Sequence, residues 1–310
     1  MEYTIGLDLG GTAIKGGVID AGGRIVARRS IPTENELGVR HVLDRLAGLA
    51  RSLAEEAKLK ENEIGGVGVG TPGPLDVKGE TVLLAPNLGW KDVALKTEMS
   101  RRLPWRVRVV NDANAAGYGE YHAVAGRGVR NLILLTLGTG IGSGIILDGK
   151  LFIGPHGGGA ELGHTVVERG GRACGCGQRG CLEQYASATA IVREAMRRID
   201  AGQATRLPAR PTAKDVFDYA SAGDALAEEV VEEACECLAV ACVSFVHAFD
   251  PEWIVLGGGV AEAGSMLLDE VGSRFAANYW RAAPAHVRFE LSTLGNDAGF
   301  IGAAYLARER

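Results

Sequence analysis

The chain has 310 residues, of which 46% are hydrophobic and 23% are charged, as is typical of a folded soluble protein with room for two domains. Its formal net charge is −5 without a basic block, which argues against nucleic acid as a main partner. The N-terminus lacks the basic flank and apolar core of a signal peptide, and no apolar run approaches the roughly 20 residues of a membrane span. We therefore expect a cytoplasmic protein with small-molecule partners and no membrane contact.

The first predicted elements in chain order belong to an internal repeat. Residues 4–26 (TIGLDLGGTAIKGGVIDAGGRIV) predict a strand, a glycine turn, a strand, a hairpin turn and a strand. Residues 132–152 (LILLTLGTGIGSGIILDGKLF) predict the same order, with a hairpin turn that is two residues shorter. An offset of 128 residues aligns three pairs, Gly10 with Gly138, Gly16 with Gly144, and Asp20 with Asp148. We interpret this agreement as a duplication rather than as two unrelated hairpins.

The other predicted elements alternate between helices and strands. Apolar residues at helical spacing occur in three segments: 36–59, 187–199 and 224–249. A buried strand that runs into a turn or a helix is predicted in three others: 64–73, 106–126 and 251–275. Residues 200–215 predict a surface loop. This alternation predicts an α/β fold with two related mixed-sheet halves.

Three predicted strands end in glycine turns that can present backbone N–H groups to an anion. They are DLGGT at 8–12, LGTGIGSG at 137–144 and LGGGV at 256–260. None matches the P-loop pattern, and the strand predicted after GTGIGSG argues against a dinucleotide fingerprint, which requires a helix there. The turns suit a nucleotide cleft between two halves. The nucleotide contacts predicted in them are Gly10, Gly11, Thr12, Thr139, Gly140, Gly257, Gly258 and Gly259.

Asp8 stands in the first of these turns, where a carboxylate would repel a polyphosphate unless a cation lay between them. Asp8 is therefore a candidate to hold hydrated Mg²⁺, and the alternative is an aspartate that caps its own turn. Thr12 and Lys15 could reach phosphate oxygens, although Lys15 could equally be a solvated strand residue.

Six motifs follow one another along the chain: LDLGGTAIKGGVID, GTPGP, NDANAA, LGTGIGSG, GGGAELGH and CGCGQRGCLEQYAS. Their order resembles that of the ROK family of sugar kinases and repressors, over essentially the whole chain. The resemblance implies the actin-like, ribonuclease H-like sugar-kinase fold, with two α/β domains around a central cleft that takes ATP on one side and sugar on the other. We expect one domain at 1–110 plus 298–310, because the C-terminal helix returns to it, and a second at 111–297 with a zinc-binding insertion.

The segment HTVVERGGRACGCGQRGCLEQ, residues 164–184, could be a disulfide knot, a redox pair, a metal site or an accidental cluster. Disulfides are rare in the cytosol, and the redox pattern C-x-x-C is missing from the segment. One imidazole and three thiolates form a closed tetrahedral zinc set, and the four residues that match the ROK zinc ligands are His164, Cys174, Cys176 and Cys181. We therefore expect structural Zn²⁺ in this segment.

A second group of cysteines has the same C-x-C-x₄-C spacing. Cys235, Cys237 and Cys242 lie in a run without glycine and with helical periodicity. Thiols at these positions of a helix would not converge on one centre, so we expect ordinary helix residues, some of them buried. The sequence assigns them no further role.

Carboxylate and amide groups recognise sugar hydroxyls well because they accept and donate hydrogen bonds in pairs. The residues that match the sugar contacts of the resembled family are Gly73, Asn87, Asn111, Asp112, Glu161, His164 and Glu183. His164 could serve metal and sugar with one ring nitrogen each, and Asp112 matches the general base. Taken singly, the asparagines could be turn formers, the glutamates solvated acids, and Asp112 a helix cap. Asn111 and Asp112 both stand where a predicted strand runs into a helix, a place where side-chain caps are favoured.

The resemblance predicts an ATP-dependent kinase that phosphorylates the 6-hydroxyl of an aldohexose, with glucose as the favoured substrate. N-Acetylmannosamine, N-acetylglucosamine and fructose stay open as alternative substrates. A sugar-responsive repressor of the same family is a second hypothesis, but only five residues precede Gly6, which leaves no room for a helix-turn-helix. The presence of Asp8 and Asp112 argues against a non-catalytic sensor. A homo-oligomer, dimer or tetramer, is implied by the resemblance.

Overall fold

The computed structural model describes residues 3–280 and 286–309. The strands are β1 (Tyr3–Leu9), β2 (Ala13–Asp20), β3 (Ile25–Pro32), β4 (Ile64–Thr71), β5 (Val82–Ala85), β6 (Trp90–Val93), β7 (Val107–Asn111), β8 (Leu132–Leu137), β9 (Ile141–Leu147), β10 (Lys150–Phe152), β11 (Trp253–Gly257) and β12 (Arg288–Leu291). The helices are α1 (Val39–Glu56), α2 (Leu95–Arg102), α3 (Asp112–Val124), α4 (Glu183–Ala186), α5 (Ala188–Asp200), α6 (Ala213–Ser221), α7 (Ala225–Phe249), α8 (Ser265–Asn278) and α9 (Ala298–Leu306). Among the residues described, no helix is long and apolar enough to cross a membrane.

Two five-stranded sheets share one strand order. The first sheet is β3-β2-β1-β4-β7 and the second is β10-β9-β8-β11-β12. If the strands of each sheet are numbered one to five along the chain, both sheets have the order 3-2-1-4-5. The hairpin turn is four residues long between β2 and β3 and two between β9 and β10. The predicted duplication is therefore confirmed, and it extends to the strand pairs β4 and β11, and β7 and β12.

Both sheets contain parallel strands joined by helices. β1 pairs antiparallel with β2 but parallel with β4, which in turn pairs parallel with β7. β11 likewise pairs parallel with β8 and β12. A tight turn can join antiparallel neighbours, whereas parallel neighbours need a longer crossover. Helix α1 lies in the crossover from β3 to β4, and α8 in the crossover from β11 to β12.

The contacts between Cα atoms divide the chain into two compact units. The first unit contains Met1–Gly128, Gly144–Ala160 and Leu294–Arg310, and the second contains Val129–Ser143 and Glu161–Thr293. The domain limits expected from the sequence, 1–110 with 298–310 and 111–297, stay a prediction.

Helix α9 lies directly on the sheet of the first unit. A Cβ atom added to Gly6 on β1 would clash with the carbonyl oxygen of Phe300, and one added to Gly68 on β4 would clash with that of Ala303. Only residues without a side chain allow a helix backbone to approach strands this closely. The glycines of β1 and β4 thus fix the position of the C-terminal helix.

The second unit is built around α7, whose 25 residues bury one side against α5, α6 and α8. Asp224 caps its N-terminus by accepting a hydrogen bond from Ala227 N at 3.1 Å, as expected for an aspartate at this position. Cys235 and Cys242 are buried in the helix and Cys237 is partly buried. The helix predicted for these three cysteines is confirmed.

Other segments agree with expectation to within a few residues. The helix expected over 36–59 is α1, and the one over 187–199 is α5. The expected loop 200–215 lies between α5 and α6, except that Asp200 ends α5 and residues 213–215 begin α6. The sequence does not predict the hairpin of β5 and β6, helices α2, α4 and α6, or strand β12. Each of these elements has only four to nine residues, and so short a run carries a weak periodicity signal.

Candidate active site

In the first unit, Asp8 and Lys15 are cross-strand neighbours on β1 and β2. Asp8 lies on the strand, one residue before its end, rather than in the glycine turn where the sequence had placed it. A Cβ atom on Gly299, in the first turn of α9, would lie 2.7 Å from the Asp8 carboxyl carbon. Burial raises the pKa of Asp8 to about 6, and the charge of Lys15 opposes that shift. A nearby cation would favour the charged carboxylate.

The glycine turn that follows β1 exposes backbone donors. Gly10 N donates to Ala13 O at 2.9 Å, whereas the amides of Gly11 and Thr12 have no hydrogen-bond partner within residues 3–280 and 286–309. A Cβ atom on Gly11 would lie 3.3 Å from Asn87 O. The turn predicted for phosphate and the asparagine predicted for sugar are therefore in contact within one unit.

Asn111 ends β7 and caps helix α3. Its Oδ1 accepts hydrogen bonds from Ala113 N at 3.0 Å and Asn114 N at 3.1 Å, and its Nδ2 donates to Gly73 O at 3.4 Å. Asp112 is the first residue of α3, and its Oδ1 accepts from Ala113 N at 2.8 Å. Of the two candidates for a helix cap, the structure therefore selects Asn111.

In the second unit, the two predicted nucleotide turns meet. Gly258 has a φ of 83°, and a Cβ atom there would lie 2.6 Å from Leu137 O. A side chain at this position would have to displace backbone, so glycine is what lets the turns approach. Thr139 and Gly140 continue the same turn toward β9.

Glu183 connects this turn to the cysteine segment. Its Oε2 accepts a hydrogen bond from Ile141 N at 3.1 Å, and its Oε1 lies 4.0 Å from Cys174 Sγ. A Cβ atom on Gly140 would clash with the Glu183 carboxylate. One oxygen of this predicted sugar ligand is thus already engaged by the turn predicted for nucleotide.

Glu161 precedes a short 3₁₀ turn, Leu162–His164, and His164 is the last residue of that turn. Leu162 N donates to Ser143 Oγ at 3.1 Å, which holds the turn next to β9. Burial raises the pKa of Glu161, with nearby His164 opposing the shift and Glu183 adding to it. Three predicted sugar ligands, Glu161, His164 and Glu183, therefore lie close together in the second unit.

The four predicted metal ligands converge. The ligand atoms of His164, Cys174, Cys176 and Cys181 all lie within 4.8 Å of one another. Cys174 Sγ is 3.6 Å from His164 Nδ1, and Cys176 Sγ is 3.7 Å from Cys181 Sγ. These separations exceed the roughly 2.0 Å of a disulfide bond, and the cysteines are free thiols.

The thiols differ in how easily they lose a proton. Burial, together with hydrogen bonds to Cys176 and Cys174, raises the pKa of Cys181 to about 12. A backbone hydrogen bond from Gln178 instead lowers the pKa of Cys176. A bound metal ion would have to displace the Cys181 proton, which makes metal affinity dependent on pH.

An ion-pair network that the sequence did not predict anchors the cysteine segment. Arg172 donates to Glu194 at 2.8 Å and to Glu233 at 2.6 Å, and its guanidinium lies over the ring of Tyr185. The Glu194 side chain is only 6% exposed. Burial alone would raise the pKa of Glu194, but the surrounding arginines, including Arg197 and Arg198, hold it at about 2. Residues far apart in sequence form this network, so local patterns carry no signal for it.

The model of the ROK family matches residues 4–310. The chain belongs to the ROK family. A glucokinase of Halalkalibacterium halodurans is 38% identical to this ROK protein over an alignment of 317 residues. The alignment covers 100% of this chain and 96% of the relative.

Solved structures of ROK proteins share the fold. A ROK hexokinase from Thermus thermophilus is 36% identical, with a TM-score of 0.86 over 98% of each chain. A ROK family glucokinase from Streptomyces griseus, crystallised in complex with glucose and AMPPNP, is 36% identical, with a TM-score of 0.82 over 99% of each chain. The expected α/β sugar-kinase fold is therefore confirmed.

Proposed function

We propose that this ROK protein is an ATP-dependent glucokinase, which transfers the γ-phosphoryl group of ATP to the 6-hydroxyl of glucose. The observation that carries the proposal is full-length similarity to a glucokinase whose structure holds glucose and AMPPNP.

Asp112 is the proposed general base. A sugar hydroxyl is a poor nucleophile at neutral pH, so its proton must be accepted as the O6–phosphorus bond forms and the bond from phosphorus to the ADP oxygen breaks. The proton passes to the Asp112 carboxylate. The cap of α3 comes from Asn111, so helix capping does not account for an aspartate at the next position.

The glycine turns are the proposed nucleotide contacts. In the first unit, Gly11 and Thr12 supply donors for phosphate oxygens, because their amides make no hydrogen bond to any residue that the structure describes, and Lys15 supplies a positive charge. In the second unit, Thr139 with Gly140 and the glycines 257–259 supply the others. Mg²⁺ would neutralise charge on the β- and γ-phosphates, and Asp8 is the residue proposed to hold its hydration shell.

Sugar contacts are proposed in each unit by itself. Asn87, with Gly73 and Asn111 of the first unit, offers amide and backbone groups to the ring hydroxyls. Glu161, His164 and Glu183 of the second unit offer two carboxylates and an imidazole. Since Glu183 Oε2 already accepts from Ile141 N, its Oε1 is the oxygen left for a hydroxyl.

Zinc is the metal proposed for the four-ligand cluster. Tetrahedral bonds of about 2.3 Å to sulfur and about 2.0 Å to nitrogen place two sulfurs about 3.8 Å apart and a sulfur and a nitrogen about 3.5 Å apart. The observed 3.7 Å between Cys176 and Cys181 and 3.6 Å between Cys174 and His164 Nδ1 agree with these edges. Zinc here would cross-link the cysteine segment to the His164 turn, leaving His164 Nε2 for the sugar.

A panel assay tests the function. We expect ADP release, coupled to a second enzyme, to give glucose a higher kcat/KM than N-acetylmannosamine, N-acetylglucosamine or fructose. An N-acetylated sugar that wins by tenfold, about 1.4 kcal/mol in transition-state free energy, would replace glucose as the substrate. Absence of ADP release with every sugar would instead favour the sugar-responsive regulator. Cytoplasmic location and a dimeric or tetrameric assembly stay predictions.

A further inference from the structure

A buried threonine holds the glycine turn of the first unit. Thr33, which follows β3, has no solvent exposure. Its hydroxyl donates to Gly10 O at 2.7 Å, and its backbone N donates to Thr12 O at 2.9 Å. Two of the three carbonyls in the Gly10–Thr12 turn are therefore bound by one residue.

These bonds determine which groups of the turn face outward. A buried backbone polar group needs a partner, and Thr33 satisfies the carbonyls of Gly10 and Thr12. The amides of Gly11 and Thr12 make no such bond within the described part of the chain. The turn is thus held in the orientation that leaves its donors for an anion.

Two residues later, the same segment contacts the asparagine proposed for sugar. Asn35 Nδ2 donates to Asn87 O at 2.8 Å. Asn87 also packs against the turn, because a Cβ atom on Gly11 would lie 3.5 Å from Asn87 Nδ2. Residues 33–35, which we name the brace, therefore contact the phosphate turn at one end and the sugar asparagine at the other.

The residue between them has an unusual backbone conformation. Glu34 has a φ of 55°, in the left-handed region that non-glycine residues rarely adopt. Its Oε2 is 2.8 Å from both His41 Nε2 and a guanidinium nitrogen of Arg45, on helix α1. Such a conformation persists only when surrounding contacts hold it. The brace is therefore anchored to α1 as well as to the two sites.

We propose that Thr33 and Asn35 are positioning residues for phosphoryl transfer, Thr33 for the nucleotide turn and Asn35 for Asn87. This inference rests on the proposed kinase function. Neither residue needs to touch a ligand. Thr33 sets the direction of the phosphate-binding amides, and Asn35 sets the place of the sugar amide relative to them.

Single replacements at the two ends of the brace separate these roles. Thr33→Val keeps the side-chain shape but loses the hydroxyl, and we expect the dissociation constant for MgADP to rise at least about fivefold, measured by calorimetry without sugar. Thr33→Ser keeps the hydroxyl, so its dissociation constant for MgADP should stay within about twofold of the wild-type value. Asn35→Ala should raise KM for glucose by at least about fivefold and change KM for ATP less than about twofold.

Thr212→Val is the matched control. This replacement also removes a threonine hydroxyl, one that accepts a hydrogen bond from Asp215 N at 3.1 Å at the start of α6 in the second unit. We expect Tm to fall, because a helix cap is lost. The dissociation constant for MgADP and KM for glucose should both stay within about twofold of the wild type.

Unchanged MgADP affinity in Thr33→Val, or a loss that Thr33→Ser does not restore, overturns the role of Thr33. If Thr33→Val is not recovered folded, Thr33→Ser and Asn35→Ala carry the test. The dissociation constant of Thr33→Ser for MgADP should then match that of the wild type. An unchanged KM for glucose in Asn35→Ala overturns the positioning role proposed for the brace. A wild-type protein that phosphorylates no hexose refutes the proposed function instead, so the two failures are distinguishable.

Discussion

Replacement of Asp112 by Asn tests proton transfer with little structural disturbance. Asparagine has the same size and can still accept the hydrogen bond from Ala113 N, which Asp112 Oδ1 takes at 2.8 Å. The cap of α3 is untouched because Asn111 supplies it. What the helix loses is one negative charge in its first turn, which is worth about 0.3–1 kcal/mol of stability.

The expected effect on catalysis is much larger. A positioned base contributes about 10²–10⁴ in rate, so Asp112→Asn should lower kcat at least about 100-fold. That loss corresponds to about 2.7 kcal/mol in the barrier. KM for glucose should change far less, because the proposed ring contacts Glu161, His164 and Glu183 are kept. A charge that only stabilises the helix terminus would change the free energy of unfolding and leave kcat nearly unchanged. A general base would instead change kcat much more than the free energy of unfolding.

The assay compares kcat, KM, zinc content and Tm of the wild type, Asp112→Asn and Asp224→Asn. Asp224 caps the N-terminus of α7 in the second unit and accepts a hydrogen bond from Ala227 N at 3.1 Å, so its replacement makes the same chemical change at another helix. We expect Asp224→Asn to lower Tm while kcat stays within about twofold. An Asp112→Asn enzyme that keeps more than about a tenth of normal kcat removes Asp112 from proton transfer.

Three other predictions test the proposed zinc cluster, the proposed Mg²⁺ contact of Asp8 and the buried ion pairs of Glu194. Cys176→Ser should lose zinc and melt earlier because a structural metal contributes to folding, whereas Cys237→Ser in helix α7 should keep the metal; full zinc by elemental analysis in the Cys176 variant contradicts the ligand set. Asp8→Ala should still bind glucose but lose kcat because charge on the phosphates is less well held, and near-normal kcat at saturating MgATP would leave Asp8 as a strand residue. The pKa of Glu194 is held at about 2, below its ordinary 4.5, so its stabilisation is present above pH 4.5 and is lost as pH falls toward 2. Glu194→Gln should therefore lower the free energy of unfolding by about 2–3 kcal/mol at pH 7 and by less at about pH 3, and an equal loss in urea titrations at both pH values contradicts the assignment.

Local patterns determined the duplicated architecture. The glycine and aspartate positions repeat at a fixed offset, and tight turns restrict their residues within a few positions of the chain. The cluster of candidate metal ligands was equally local, because Cys174, Cys176 and Cys181 lie within eight residues. Periodicity also separated these cysteines from the group around Cys237, since a glycine-free helical run forms α7. In each case the signal and the structure span the same short stretch.

Only the tertiary structure decided which neighbours the site residues have. The sequence left Asn111 and Asp112 equivalent as caps, and the path of β7 into α3 selected Asn111. It also gave no sign that Thr33 binds the Gly10 carbonyl, which lies 23 residues away. Contacts of this kind form when separate elements pack together, so they depend on strand order and helix placement rather than on spacing along the chain.

The anchoring of the cysteine segment has the same origin. Arg172 is an unremarkable charge in the sequence, yet it bonds Glu194 of α5 and Glu233 of α7. Burial of Glu194 makes these bonds strong, because a carboxylate removed from water is stable only when paired. Burial is a property of the packed unit, so the sequence could name four candidate metal ligands, but only the fold could show what holds their segment in place.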